Sequence, residues 1–281
     1  MSNCSIFASD LDGTLLNSQS DYDRSLFKKI IDYLNSHQMK FAAATGNQYQ
    51  HVRQIFSEVA DKIDYVAENG AVVVVNNQII YENFLNKMAL FILVEDLLSD
   101  PYLAGAQIIL SARDHAYINH VSSDSIERAG NYYHNLLVTD NLSRIASEVD
   151  IYKVALNWPD EDDISRHLEY IENNFEAIRG TSSGRSGIDI ISKDISKASG
   201  LKILLESYGD TTDNLMVFGD NGNDLEMLEY AGVGVAVQNA IPIVKQTANK
   251  VLNETNDQSA VLKEIINNLI KSGASPSFFE S

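Results

Sequence analysis

The chain has 281 residues, 44% of them hydrophobic and 21% charged, enough for one large or two ordinary domains each with its own core. A formal net charge of −18 without a basic run argues against a nucleic-acid partner, and means that an anionic substrate needs a local positive device such as a metal ion. The one cysteine, Cys4, leaves no intramolecular disulfide and fits a cytoplasmic location; no secretory leader is expected, and no apolar run approaches the about 18 residues that span a bilayer.

In chain order, residues 4–8 form a short apolar run that predicts a buried strand. It runs into Ser9-Asp10-Leu11-Asp12-Gly13-Thr14. Two aspartates one residue apart at the end of a buried strand are costly, since like charge and burial both raise a carboxyl pKa. Helical spacing over 21–38 places Leu26, Ile30, Ile31 and Leu34 on one face. A second strand is expected over 39–44, ending at Thr45-Gly46, then a helix over 48–60 and a third strand over 65–67. Glu68-Asn69-Gly70 is a turn signal, and Asn76-Asn77 between two apolar runs is a hairpin signal. Strands alternating with helices predict a parallel sheet covered on both faces.

From about residue 83 the pattern changes. Strands are expected over 107–112, 116–121, 151–157 and 177–179, with helices that include 123–136 and 161–175. Hairpin strands with helices between them suggest an α+β layer. The α/β pattern then resumes with a helix over 197–208, a strand over 214–218 stopping at Gly219-Asp220, a short helix over 224–231, a strand over 233–237 and an amphipathic helix over 259–270. Residues 272–281 read as a frayed tail. The expected organisation is an α/β core of residues 1–82 and 189–281, a Rossmann-like parallel sheet, with an α+β domain of residues 83–188 inserted into it.

In an open parallel sheet, ligands bind beyond the carboxyl ends of the strands. Asp10 and Asp12, Thr45 and Gly46, and Asp220, Asn223 and Asp224 all follow expected strands, and Lys197 opens the helix before the last of these. Carboxylates without a neighbouring His or Cys form a hard oxygen site that suits Mg²⁺. With a hydroxyl and a lysine added, the set suits phosphoryl transfer, which depends on positioning and charge neutralisation. Taken singly, these residues have plainer explanations: a solvated Asp-Gly-Thr turn, carboxylates favoured at a helix N-terminus, a surface lysine. Their ordered occurrence favours the site.

At these residues the sequence resembles the haloacid dehalogenase-like phosphatases. Asp10-Leu11-Asp12-Gly13-Thr14 resembles their first motif, Ala44-Thr45-Gly46 the second, Lys197 the third, and Gly219-Asp220-Asn221-Gly222-Asn223-Asp224 the fourth. The insert and Glu68-Asn69-Gly70-Ala71 resemble the capped, Cof-type sugar-phosphatase branch. The resemblance implies Asp10 as nucleophile, forming an aspartyl-phosphate, and Asp12 as acid and base. It implies Mg²⁺ held by Asp10, Asp220 and the Asp12 backbone carbonyl, with Asp224 orienting metal waters and Asn223 near phosphate or metal. Thr45, Gly46 and Lys197 would hold the phosphoryl group. Residues two apart on an extended segment point the same way, so both carboxylates can flank one phosphorus.

Asn47 stands where the family often has Arg, and cannot copy a bidentate grip on an anion. Asn47, Asn69 and Arg185 are candidates for substrate choice. The implied partner is a small phosphorylated metabolite, with no nucleic acid and no membrane; monomer and weak dimer both stay open. Alternatives on the same scaffold are a phosphotransferase or mutase, and a non-catalytic metabolite-binding module. Gly180-Thr181-Ser182-Ser183-Gly184 matches a nucleophile elbow but precedes an expected strand, which fits a hairpin or loop instead. The aromatics Tyr117, Tyr132, Tyr133 and Trp158 read as core.

Overall fold

The computed structural model describes residues 4–99, 103, 105–119, 121–158, 164–182 and 187–280. The first part runs β1 (Ile6–Ser9), α1 (Arg24–Ser36), β2 (Lys40–Ala44), α2 (Tyr49–Ile55), β3 (Asp64–Ala67), β4 (Val72–Val75) and β5 (Gln78–Glu82). The middle follows as α3 (Lys87–Ser99), β6 (Gln107–Ala112), β7 (Ala116–Ile118), α4 (Ser123–Gly130), β8 (Leu136–Val138), α5 (Leu142–Glu148), β9 (Ile151–Asn157), α6 (Ser165–Asn174), β10 (Ile178–Ser182) and β11 (Gly187–Ser192). The last part is α7 (Lys197–Tyr208), β12 (Leu215–Gly219), α8 (Leu225–Tyr230), β13 (Val233–Ala236), α9 (Pro242–Thr247), β14 (Lys250–Val251), α10 (Ala260–Lys271) and α11 (Ser277–Glu280).

Two sheets result. The first, in order β14-β13-β12-β1-β2-β3-β4-β5, is parallel from β14 to β3 and closes with the antiparallel β4–β5 hairpin. Its central strands β1 and β12 are buried throughout and almost wholly apolar, as a sheet covered on both faces requires. The second, in order β10-β11-β9-β6-β7-β8, is mainly antiparallel and belongs to the segment inserted between β5 and α7. Each sheet carries its own buried cluster, one around Phe7, Phe27, Phe41, Phe56 and Phe218, the other around Leu93, Leu110, Val154 and Leu156.

Local chemistry explains the elements that matter for the site. Asp23 caps α1 through the Leu26 amide; Ile30, Ile31 and Leu34 line its buried face as the periodicity predicts, joined by Phe27, while Leu26 is only partly buried. Asn76 and Asn77 both take positive φ (49° and 63°), as a tight hairpin between β4 and β5 demands. α7 begins with a reciprocal Ser196–Ser199 capping box and ends at Gly209 in the left-handed region.

The inserted layer is seated firmly on the core. Glu82, at the first crossing, accepts hydrogen bonds from Arg113 and Tyr152, while Phe84 stacks on Tyr152 with centroids 4.7 Å apart. Gln48, buried at the start of α2, donates to the Ala112 and His115 carbonyls (3.1 and 3.2 Å) and accepts from the His134 amide (2.7 Å). β11 runs across the second crossing: its first residues pair with β9, and Ile191 joins the core cluster.

Several expected elements change. The helix expected over 123–136 stops at Gly130, and Leu136–Val138 forms strand β8 after Asn135 adopts a φ of 51°. Helix α5, helix α9 and the two-residue β14 lie outside the expected elements. The tail also folds: Phe279 is buried, with its ring 5.6 Å from that of Tyr33. Ser182 ends β10 with strand β11 following, so no strand-to-helix elbow forms there.

Candidate active site

β1 lies between β12 and β2, all three parallel, so their C-terminal ends bring Asp10, Thr45 and Asp220 to one rim. The Asp10 amide donates to the Phe218 carbonyl at 3.0 Å, locking the first acidic loop to the second. Gly13, with φ +79°, lets the first loop fold against Asp220; a Cβ there would lie 2.7 Å from Asp220 Oδ2. Thr14 Oγ1 donates to Asp220 Oδ1 at 2.7 Å.

Lys197 is the first residue of α7 and is 1% exposed. The N-terminal end of a helix disfavours a cation. Two carboxylates hold it there: Nζ donates to Asp10 Oδ1 at 2.5 Å and to Asp224 Oδ1 at 2.7 Å. Burial alone would lower the Lys197 pKa; Asp10 and Asp224 outweigh it and the net shift is upward. Burial is also the largest influence on Asp10, opposed by Lys197 and reinforced by Asp224 and Asp220, and it holds this carboxyl well above the usual range. Asp220 is pushed up to about 6, again chiefly by burial, against the Thr14 hydrogen bond.

Asp10, Asp220 and Asp224 present oxygens within 4.8 Å of one another. Asp224 is fully engaged: Oδ1 accepts from Lys197, and Oδ2 from the backbone amides of Asp220 (2.9 Å) and Asn221 (3.0 Å). Asp10 and Asp220 each have one oxygen with no hydrogen bond among the described residues. Oxygen donors with unrelieved carboxylate repulsion and no His or Cys ligand fit a hard divalent cation such as Mg²⁺.

Other expected residues fall into place unevenly. Thr45 is buried and lines the same cavity; its Oγ1 accepts from the Asn47 amide (3.1 Å). Asn47 also lines the cavity, and its Nδ2 donates to Asp12 Oδ2 at 2.7 Å. Asn69, expected at the substrate, is instead buried with its amide group occupied: Nδ2 donates to Asp189 Oδ2 (2.7 Å) and Oδ1 accepts from Asn223 (3.3 Å). It ties loops together rather than lining the cavity. Arg185 lies outside the described residues.

Sequence reasoning misses a second buried lysine. Lys153 on β9 is 3% exposed, and its Nζ donates to the Gly46 carbonyl (2.6 Å) and to Asp189 Oδ2 (2.9 Å). Glu68 Oε2 lies 4.0 Å from Lys153 Nζ and has no hydrogen bond among the described residues, while Oε1 accepts from Ser111 (2.7 Å). Burial pushes Glu68 up to about 7, against Lys153 and the Ser111 hydrogen bond. Glu68, Asn69 and Gly70 all adopt positive φ, and a Cβ on Gly70 would meet the Ser196 carbonyl at 2.1 Å. The turn thus packs directly against the start of α7, beside Lys197. The available signal is a single lysine inside a mostly apolar strand, Ile151–Asn157.

Between the two layers lies a cavity of 560 Å³. Its core side carries Asp10, Asp12, Thr45, Asn47 and Asn223; its inserted side carries Gln107, Arg128, Tyr132, Tyr133 and Asn157. Tyr132 and Tyr133, expected in the core, line this cavity, whereas Trp158 is buried as expected. The arrangement can anchor a phosphoryl group at the carboxylate end and enclose a polar, partly aromatic-walled leaving group at the other.

A family profile described as haloacid dehalogenase-like hydrolase matches residues 7–265. The chain is 32% identical over 269 residues to the 5-amino-6-(5-phospho-D-ribitylamino)uracil phosphatase YbjI of Escherichia coli (strain K12), covering 95% of this chain and 96% of that protein. It is 26% identical over 259 residues to the phosphatase of the same name, YitU, of Bacillus subtilis (strain 168), covering 92% and 95%. Among solved structures it resembles SMU.1108c from Streptococcus mutans UA159, with a TM-score of 0.88 and 30% identity over 95% of this chain and 99% of that one.

Proposed function

The chain belongs to the haloacid dehalogenase-like hydrolases and is a phosphatase; on that premise we propose that it is a Mg²⁺-dependent phosphomonoesterase acting on small phosphorylated metabolites through an aspartyl-phosphate. The observation that carries this reading is the convergence of Asp10, Asp12 and Thr45 on one cavity whose far wall belongs to the inserted layer, with Lys197 bonded to Asp10 and an Asp220 oxygen within 4.8 Å of an Asp10 oxygen.

Asp10 is the nucleophile. Lys197 draws its carboxylate into one orientation and offsets negative charge as the phosphoryl group arrives. The Thr45 hydroxyl and the Gly46 amide hold the phosphoryl oxygens. Asp12 gives a proton to the leaving alcohol and then takes one from the attacking water. Asp224 fixes Lys197 and the Asp220 loop from beneath. Asp10, Asp220 and the Asp12 carbonyl would hold Mg²⁺, which when bound neutralises charge on the transferring phosphoryl group.

The two relatives named for 5-amino-6-(5-phospho-D-ribitylamino)uracil support a substrate of that kind, a phosphate on a polyol chain that carries a heterocycle. The Tyr132, Tyr133, Gln107, Arg128 and Asn157 wall supplies aromatic faces and polar edges for such a leaving group. The test is phosphate release from this compound, sugar phosphates and nucleotides, with Mg²⁺ and with EDTA. Turnover that needs Mg²⁺ is expected, with the ribitylamino compound preferred. No release from any ester with Mg²⁺ present would overturn the proposal.

A further inference from the structure

We propose that Asn47 is a positioning residue for the proton-transfer step: its side-chain amide holds Asp12 so that one carboxyl oxygen, Oδ1, exchanges the proton with substrate. The inference rests on Asp12 as the acid and base. Asp12 immediately precedes Gly13, whose φ is +79°, and its side chain is exposed on the cavity wall. An exposed carboxylate free to rotate seldom meets the geometry that proton transfer needs. Among the described residues, Asn47 is the one side chain that donates to the Asp12 carboxylate, at 2.7 Å to Oδ2.

Asn47 is itself fixed at both ends of its peptide. Its N–H donates to Thr45 Oγ1 (3.1 Å), and its carbonyl accepts from the Glu68 amide (3.1 Å). The residue therefore projects from the same pinned loop that carries Thr45. With Oδ2 engaged by the amide, Oδ1 is the oxygen left to exchange the proton. As Asp10 forms its bond to phosphorus, the bond from phosphorus to the leaving oxygen breaks. The electron pair stays on that oxygen, which takes the Oδ1 proton. In the second half, water attacks phosphorus and gives its proton to Asp12, and the electron pair of the breaking bond returns to the Asp10 carboxylate. Loss of the amide leaves every charge in place and removes only the orientation. An arginine here would reach past Asp12 and bring a full positive charge to it.

The test compares two esters that share the phosphoryl group. p-Nitrophenyl phosphate loses a phenolate that departs without a proton, whereas glycerol phosphate loses an alkoxide that needs one. Asn47→Leu and Asn47→Ala are each expected to lower kcat/KM for glycerol phosphate at least about tenfold more than for p-nitrophenyl phosphate. Asn47→Gln, which keeps a donor, should recover part of that difference. Equal loss on both esters means that Asn47 serves only binding or structure, and no loss on either means that it does nothing; both overturn the inference. Asp12→Asn run alongside separates the two claims. If it shows the leaving-group dependence and the Asn47 variants do not, the inference fails alone; if Asp12→Asn lacks it, the acid and base reading fails as well.

Discussion

Two buried lysines sit about the cavity, each held by carboxylates, and they do different work. Lys197 bonds Asp10, the proposed nucleophile, and Asp224 at the rim of the parallel sheet. Lys153 bonds Asp189 and the Gly46 carbonyl, with Glu68 nearby, where the inserted layer meets the core. Both are raised in pKa because carboxylates outweigh the cost of burial. The first lysine faces the carboxylate proposed to attack phosphorus; the second faces the Gly46 loop. On the proposed mechanism, similar electrostatics therefore serve catalysis in one place and assembly of the two layers in the other.

The largest expected effect separates the two lysines. Lys197→Met should lower kcat by about 10²–10³-fold, since it removes a preorganised charge at the phosphoryl group. Steady-state kinetics with saturating Mg²⁺ checks this. Lys153→Met should keep kcat on p-nitrophenyl phosphate within about tenfold, a change of about 1.4 kcal/mol in activation. Its cost should appear in stability, about 3 kcal/mol by urea unfolding, because Asp189 and Glu68 stay buried without their cation. A Lys153→Met protein that is stable but inactive breaks the comparison.

Glu68 sharpens it through pH. Its folded-state pKa is raised from 4.5 to about 7, so the folded protein binds the proton more tightly than the unfolded chain. That contribution is complete below about pH 4.5 and is lost as pH rises through about 7. Glu68→Gln, which cannot ionise, should be of near-native stability at pH 5. It should gain on the wild type as pH rises toward 8, by up to about 3 kcal/mol. Melting temperatures at pH 5 and 8 test this; a gap that shrinks as pH rises contradicts the assignment. The smallest effect belongs to Glu226→Gln. Its pair with Arg179, bridging β10 and the start of α8, is half-exposed, and its loss should cost no more than about 0.5 kcal/mol in the same unfolding assay.

What the sequence makes legible follows the same division. Asp10, Asp12, Thr45, Asp220 and Asp224 sit in local motifs at strand ends, where the parallel sheet leaves no doubt about direction, so fold and site are read together. Lys197 is legible only by its place before the last of these strands. Lys153, Asp189 and Glu68 come from three separate segments, and only the docking of β9 and β11 on the core brings them together. No spacing encodes that. Asn69 shows the converse: its turn is visible in the sequence, but the buried Asp189 that occupies its amide is not. Strand β8 is hidden because Leu136–Val138 continues an apolar pattern that also suits a helix, until Asn135 reverses the backbone.

The central claim is that Asp10 takes the phosphoryl group, and it can be read at that residue. Enzyme quenched in acid during turnover with Mg²⁺ is reduced with borohydride, which converts an aspartyl-phosphate to homoserine, and the peptide containing residue 10 is analysed by mass spectrometry. Homoserine at residue 10, present only when both substrate and Mg²⁺ were supplied, is the predicted result. Continued phosphate release by Asp10→Asn, or homoserine at another carboxylate in the wild type, would contradict it.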